Sequence, residues 1–297
     1  MNDILVIGSA NLDLVAFTDR LPRPGETMLG GSFHSFEGGK GGNQAVAAAR
    51  AGGKVSFLGR IGMDAFGARL RESLQRNGVD TRLLGEVESA SGVALILSGG
   101  GDNMIVVAPG ANGALTADAI ERNDLTGCRF VLAQLETPLD GVIKAARLAR
   151  EEGAVFILDP APARTLPPEL LENVDWLTPN ESEACLLLGV PELNDPIQAA
   201  KQLQSLGPGN VVLKLGGEGA VLLEDGDPMR IPAHKVAVAD TTAAGDAFNG
   251  AFAVALSEGR TAREAVRFAM AAAAISVTRH GAQPAMPSRT EIDDFLG

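Results

Sequence analysis

The sequence predicts an α/β protein: a doubly wound, mostly parallel sheet flanked by helices, with a smaller β-sheet set apart from it. Three observations carry this expectation. Short apolar runs at 3–7, 55–58, 130–133, 155–158, 176–178 and 211–215 alternate with stretches of helical spacing, the pattern of βαβ units. Residues 12–17, 27–36, 92–97 and 103–107 read as strands outside that alternation and group into a separate sheet. A 45% apolar content, without a low-complexity linker or an internal repeat, belongs to one folded unit, so residues 1–297 are read as a single domain carrying that small sheet as a lid.

The elements follow in order. Residues 3–7 are a buried strand closed by Gly8-Ser9, a turn placed to carry functional groups. An Ala-rich helix occupies 44–50, a strand 55–58, and a helix 64–76, with Phe66, Leu70 and Leu74 at helical spacing. Beyond 115 the alternation is regular. Helices at 138–150 and 197–206 separate the strands, the second opened by Asp195 as N-cap and Pro196 at the first helical position. A meander at 219–223 and 229–231 precedes two Ala-rich helices, 247–256 and 262–277, whose small side chains allow close packing. Ser288-Arg289-Thr290-Glu291 is a capping box opening a last helix that reaches Phe295.

Charge and composition narrow the function. With 25 basic against 37 acidic residues the net charge is −12, and no Lys/Arg run stands out, which argues against nucleic acid or an anionic membrane as partner. An anionic substrate would need positive groups gathered by the fold. The longest apolar stretches are roughly a dozen residues against the ~20 that cross a bilayer. The start MNDILVIGSA has an acidic rather than a basic head, so a cytoplasmic location is expected. Cys128 and Cys185 are far apart, and His34, His234 and His280 are isolated, so no zinc-ligand spacing is present. The histidines read as surface or loop residues, and Met63, Met104 and Met270 as packing.

Several segments could carry chemistry. Gly38-Gly39-Lys40-Gly41-Gly42-Asn43-Gln44 lets a backbone approach a ligand ahead of a helix N-terminus, but it fails the Walker pattern, because Gly41 follows Lys40. It reads either as a tight loop or as a site for hydroxyl or anion contacts. Asp240-Thr241-Thr242-Ala243-Ala244-Gly245-Asp246 is a small-residue turn feeding an Ala-rich helix, where free N–H groups would stabilise developing phosphoryl charge. Asp246 is there either a helix-dipole carboxylate or a general base. Asn180 with Glu183 is an N-cap with its reciprocal partner, or a carboxylate site able to orient Mg²⁺ through water at a strand's C-terminal end. Lys214-Leu215-Gly216-Gly217-Glu218-Gly219 is a turn or a phosphate cradle. Asn11, Asp13 and Glu136 follow strands and suit either exposed turns or sugar hydroxyls, while Asp159-Pro160-Ala161-Pro162-Ala163 reads as an architectural loop.

Together these segments resemble the ribokinase family of sugar kinases over residues 4–295. The resemblance is carried by Gly8-Ser9-Ala10-Asn11-Leu12-Asp13, Pro24-Gly25-Glu26-Thr27, the run Gly38 to Ala45, Thr178-Pro179-Asn180-Glu181 and, most specifically, Asp240 to Phe248. Pro160-Ala161-Pro162-Ala163 and Gly281-Ala282-Gln283-Pro284 are similar to the ribokinase branch rather than to fructokinases, adenosine kinases or ketodeoxygluconate kinases. The resemblance implies transfer of a phosphoryl group from ATP to the 5-hydroxyl of ribose. A kinase of the same fold for deoxyribose, ketodeoxygluconate, fructose or a nucleoside is the alternative.

By residue, the resemblance implies Asp246 as the base, with N–H groups of Ala243, Ala244 and Gly245 as the anion hole. Asn11, Asp13, Gly39, Lys40, Gly41, Gly42, Asn43 and Glu136 would hold the sugar. Asn180, Lys214, Leu215, Gly216, Gly217, Glu218, Gly219 and Gly245 would hold ATP, with Glu183 near Mg²⁺. A monovalent cation, normally K⁺, maps to Asp240, Thr242, Ser276, Arg279, Gly281 and Ala285. The lid implies a homodimer. Three departures bear on sugar choice and on potassium: Ala285 stands where Ser is common, Asp159 where Asn is frequent before Pro-Ala-Pro-Ala, and Leu12 and Leu14 make the lid entrance more apolar.

Overall fold

A computed structural model describes residues 3–297. The chain enters the core as β1 (Ile4–Ile7), all four residues buried, and leaves it for β2 (Asn11–Thr18) and β3 (Ser32–Gly38). It returns through α1 (Lys40–Arg50), β4 (Val55–Gly62), α2 (Ala65–Arg76) and β5 (Leu84–Val87). A hairpin, β6 (Gly92–Gly99) and β7 (Asp102–Ala108), leaves the core again. Then α3 (Arg122–Leu125), β8 (Phe130–Ala133), α4 (Leu139–Glu152), β9 (Val155–Leu158), α5 (Pro168–Leu171) and β10 (Trp176–Leu177) alternate. They are followed by α6 (Glu181–Leu188), α7 (Pro196–Gln204), β11 (Asn210–Lys214), β12 (Ala220–Glu224) and β13 (Asp227–Ile231). Three helices close the chain: α8 (Ala244–Ser257), α9 (Ala262–Ser276) and α10 (Arg289–Leu296).

Nine strands form one sheet in the order β13-β12-β11-β10-β9-β8-β1-β4-β5, parallel except at the β11-β12-β13 edge. The winding runs outward in one direction from β1 and in the other from β8. A crevice therefore opens between the C-terminal ends of these two strands, where open α/β sheets take ligands. Side-chain alternation along β1 divides the core: Ile4 and Val6 join the cluster with α1, α8 and α9, whereas Leu5 and Ile7 join the cluster with α4, α5 and α7. The second sheet has the order β3-β2-β6-β7. Its residues on β7 are exposed throughout.

Helices α1 and α8 approach closely at Gly250. A Cβ on Gly250 would stand 2.6 Å from the backbone oxygen of Gln44 and 2.7 Å from Cβ of Ala47, so only glycine fits. This contact fixes Asn43 and Gln44 against the first turn of α8, and it is the structural use of the Ala- and Gly-rich sequence there.

Some element limits differ from expectation for identifiable reasons. The strand expected at 27–36 starts only at Ser32 and runs to Gly38, because Gly30 and Gly31 adopt φ of 110° and 94°. Helix α1 starts at Lys40 rather than after the glycines. Gly41 lies against the β1 turn, where a Cβ would be 2.7 Å from the Ser9 nitrogen. Helix α8 begins at Ala244, since Ala243 takes a left-handed conformation (φ 57°, ψ 18°) and caps it. Strand β10 has two residues, leaving Thr178 outside it, and β5, with its internal Gly85 and Glu86, carries no strand pattern that a sequence reading detects.

Candidate active site

Five strand ends, those of β1, β8, β9, β10 and β11, bring the polar groups together. After β1, Ser9 donates its hydroxyl to Glu136 Oε2 at 2.6 Å, and the same oxygen accepts from the Lys40 backbone N–H at 3.0 Å and from Asn11 Nδ2 at 3.4 Å. Glu136, just past β8, thus caps α1 by its carboxylate, as the positive end of a helix favours. Asn11 is held in turn by Asn112, whose Nδ2 donates to Asn11 Oδ1 at 2.7 Å. Asp13 of β2 folds its carboxylate over Gly38 of β3, where a Cβ would stand 2.3 Å from Asp13 Oδ2. Burial, Glu136 and Asp246 push the Asp13 carboxyl up to about 7.

Asp246 sits in the first turn of α8 and is 4% exposed. Asn43 Nδ2 donates to its Oδ2 at 3.0 Å and Gln44 Nε2 to its Oδ1 at 2.9 Å. Burial, reinforced by Asp159, raises its carboxyl to about 6 against the opposing pull of Lys40, Asn43 and Gln44. Gln44 Nε2 also donates to Asp159 Oδ2 at 2.9 Å, and Gln134 Nε2 fixes Gln44 from behind through a 2.6 Å bond to Oε1. Asp159 Oδ1 accepts from Lys214 Nζ at 3.1 Å. Burial disfavours the Lys40 ammonium, but Asp246, Asp159, Glu136 and Glu183 outweigh it, so Lys40 is held charged well above neutral pH. Two cations are therefore gathered here despite the acidic chain.

The ATP-side residues divide. Asn180 and Glu183 form the expected capping box on α6, with Asn180 N donating to Glu183 Oε2 at 2.8 Å and Glu183 N to Asn180 Oδ1 at 2.9 Å. Burial and the Asp159 charge raise the Glu183 carboxyl, with Lys214 opposing. A cavity of 680 Å³, in the range of small-molecule sites, is walled by Lys214, Gly216, Gly217, Gly219, Gly245 and Asp246. It is also lined by His234, Val236, Val238, Met270 and Ala274. Leu215 and Glu218 do not line it: the Leu215 side chain is buried in the core and Glu218 is exposed.

Two of the sugar-side glycines make bonds of their own. Gly42 N donates to Ser9 O at 2.8 Å and Gly41 N approaches Ser9 Oγ at 3.4 Å, so these N–H groups hold the β1 turn rather than face the crevice. At the start of α8, Ala244 N donates to Thr241 O at 3.3 Å. Among the described residues, the N–H groups of Ala243 and Gly245 have no acceptor, as the first turn of a helix requires. Asn43 Oδ1 is likewise buried without a partner.

The cation-site residues come together in part. Asp240 Oδ1 accepts from Thr242 N at 2.9 Å and Thr242 Oγ1 at 2.6 Å, while Oδ2 accepts from Gly281 N at 2.9 Å and keeps a lone pair. The Ser276 hydroxyl bonds Ala273 O, the Arg279 guanidinium pairs with Glu291, and Ala285 is a buried methyl. Asp240 Oδ2 keeps a lone pair, as do the hydroxyl oxygens of Thr242 and Ser276, which donate their protons, and backbone carbonyls could complete a hard-oxygen set suited to such a cation. Among the described residues, no group of three His, Cys, Asp or Glu side chains could hold a metal ion, and no helix is long and apolar enough to cross a membrane.

Sequence reasoning missed Ser9, Gln44, Asn112, Gln134, Asp159 and His234. Asp159 was legible as a carboxylate at the C-terminal end of a parallel strand, the position that also supplies Glu136 and Asn180; the stiff proline run after it suggested architecture instead. His234 follows β13 in an irregular segment with no pattern to place it.

The pfkB family of carbohydrate kinases matches residues 1–289. The chain is 41% identical to a ribokinase of Haemophilus influenzae, covering 99% of this chain and 98% of that one, and 36% identical to a deoxyribokinase of Salmonella typhi, covering 99% and 98%. The structure of Arabidopsis thaliana ribokinase complexed with ribose and ATP superposes with a TM-score of 0.93 at 34% identity, covering 99% of this chain and 98% of that chain. A layered α/β sheet with a strand-built appendage, a buried carboxylate at a free helix N-terminus and full-length similarity to sugar kinases lead to one assignment: the chain belongs to the pfkB family of carbohydrate kinases.

Proposed function

We propose that this chain transfers the γ-phosphoryl group of MgATP to the 5-hydroxyl of D-ribose. The observation that carries the reading is Asp246, whose carboxylate is aimed by Asn43 and Gln44 beside the acceptor-free N–H of Gly245. The names of the relatives at 41% identity support ribose as the acceptor. In the transfer Asp246 accepts the proton of the attacking hydroxyl, and the N–H groups of Ala243 and Gly245 stabilise charge on the equatorial phosphoryl oxygens. Asn11, Asp13, Gly39, Lys40, Asn43 and Glu136 orient the sugar, whose hydroxyls meet the orphaned Asn43 Oδ1. Asn180, Lys214 and Gly216 to Gly219 receive the nucleotide, and Glu183 faces the magnesium that arrives with it.

A monovalent cation, K⁺ in our reading, is held by Asp240 Oδ2 and by backbone oxygens of Thr242, Ser276, Arg279, Gly281 and Ala285. Bound there it adds positive charge behind the turn that forms the anion hole. The small sheet serves as the lid and as a homodimer contact, for which its exposed Phe33, Leu95, Ile105 and Val106 argue. We place the protein in the cytoplasm, where ATP and Mg²⁺ are supplied.

An ADP-release assay with ATP and Mg²⁺ tests the reading, offering ribose, 2-deoxyribose, fructose and ketodeoxygluconate with and without K⁺. Ribose turnover stimulated by K⁺ is the expected result. Turnover on deoxyribose alone would transfer the assignment to that sugar, in line with the Salmonella relative, and silence on all four would sink it.

A further inference from the structure

The roles assigned so far leave the Lys214–Asp159 pair unexplained, although it is the best buried ion pair beside the base. Lys214 ends β11 and Asp159 follows β9; their side chains are 13% and 3% exposed. We propose that Lys214 is a catalytic residue whose ammonium meets the transferring phosphoryl group at the N-terminus of α8, and that Asp159 parks it there until the nucleotide arrives. The proposal rests on the reading of the site as an ATP-dependent kinase.

Three observations carry it. The first is position: a Cβ on Gly245 would lie 3.5 Å from Lys214 Nζ, so the ammonium already stands at the turn whose Gly245 N–H lacks an acceptor. The second is capacity. Of three ammonium donors, one is given to Asp159 Oδ1, and among the described residues no other acceptor takes the remaining two, while Lys214 lines the cavity. The third is charge. The cavity wall sets Asp159, Glu183 and Asp246 against Lys40, Lys214 and Lys235, so a phosphoryl group entering beside these carboxylates is offset only where a cation turns toward it, and Lys214 is the one whose Nζ stands at the Gly245 turn. Asp159 itself cannot follow Lys214, because its other oxygen is fixed by Gln44 at 2.9 Å. The flexible four-carbon stem of Lys214 can leave while Asp159 keeps its Gln44 bond. No proton moves in this step; the ammonium exchanges one anionic partner for another.

The test uses Lys214→Met, Lys214→Arg and the double variant Lys214→Met with Asp159→Asn, measured for kcat and, by calorimetry with Mg²⁺, for affinity toward ADP and the β,γ-imido analogue of ATP. The double variant removes both charges and so stays foldable where the single one strands a buried carboxylate. We expect kcat to fall about 100-fold in Lys214→Met and equally in the double variant, the loss of one preorganised cation at the transition state. Lys214→Arg should recover about tenfold, because it restores a charge at the same reach. Affinity for the imido analogue should fall about tenfold, with ADP nearly unchanged, since only the former carries a group at the transferred position. A double variant within about threefold of wild type, or equal losses for both nucleotides, would mean that the pair is structural and overturn the proposal. If the wild type turns over none of the sugars, the acceptor reading fails, and the two affinities still decide the role of Lys214.

Discussion

Gln44 Nε2 donates to two carboxylates at once, Asp246 Oδ1 and Asp159 Oδ2, each at 2.9 Å. A neutral donor between two acids holds both in place without cancelling either charge. It leaves Asp246 ready to accept a proton while its companion raises its basicity. The carboxylate is thus aimed from one side by Gln44 and from the other by Asn43, both in the first turns of α1.

Replacing Asp246 by Asn keeps the shape and removes the proton acceptor. Turnover should fall by about 10²–10⁴-fold, the range for loss of a positioned base. The far-UV circular dichroism and nucleotide affinity should stay near wild type. A variant retaining near-native kcat would show that Asp246 is not the base.

The acid limb of the rate profile follows from the same group. Only ionised Asp246 accepts a proton, and burial raises its carboxyl to about 6, so kcat/KM should fall as pH drops through about 6 in the free enzyme. A profile flat from pH 7 down to 5 would contradict the assignment.

Asp13 carries the opposite sign for stability. Its folded-state value, about 7, lies above the ordinary 3.8, so its contribution to stability is fully present below 3.8 and lost as pH rises through about 7. Asp13→Asn should therefore raise the Tm at pH 8 more than at pH 4, while weakening sugar binding. Equal Tm shifts at both pH values, measured by calorimetry, would refute this.

The small-residue contact between α1 and α8 connects packing to chemistry. Gly250→Ala places a methyl 2.6 Å from the Gln44 backbone oxygen, so the helices must part. Overpacking of this kind costs about 1–3 kcal/mol. Because the displaced turn carries Asn43 and Gln44, kcat should fall along with the Tm. A lower Tm with unchanged kcat would separate the contact from the site.

Much of this arrangement was legible in sequence, and the reason differs by element. The turn at 240–246 and the capping boxes at Asn180 and Ser288 are local: each consists of residues within a few positions that satisfy one another's backbone groups. The sheet strands were legible as apolar runs because both faces are covered. Gln44, Gln134 and Asp159 were not, because their meaning arises from pairing over 90 and 115 positions of chain. The fates of Ala244, Gly41 and Gly42 were hidden for a related reason: which N–H stays free depends on where the helix starts, and Ala243 and the Ser9 contact set that start.

The small sheet makes the last prediction. Strand β7 exposes Ile105 and Val106 at 57% and 65%, and β3 exposes Phe33 at 66%, a run of apolar side chains on a sheet with open edges. Monomers rarely leave such a patch to water, and an edge of this kind is normally covered. Sedimentation should therefore show a dimer rather than a single 30.6 kDa species. Ile105→Lys with Val106→Glu should shift it to monomer by placing desolvated charges in the contact. Ile105 and Val106 belong to neither core cluster, so the Tm of the monomer fold should hold. A wild type already monomeric at the highest concentration tested would instead leave the face to the lid alone, closing over the sugar beside Asp13 and Gly38 without a second copy.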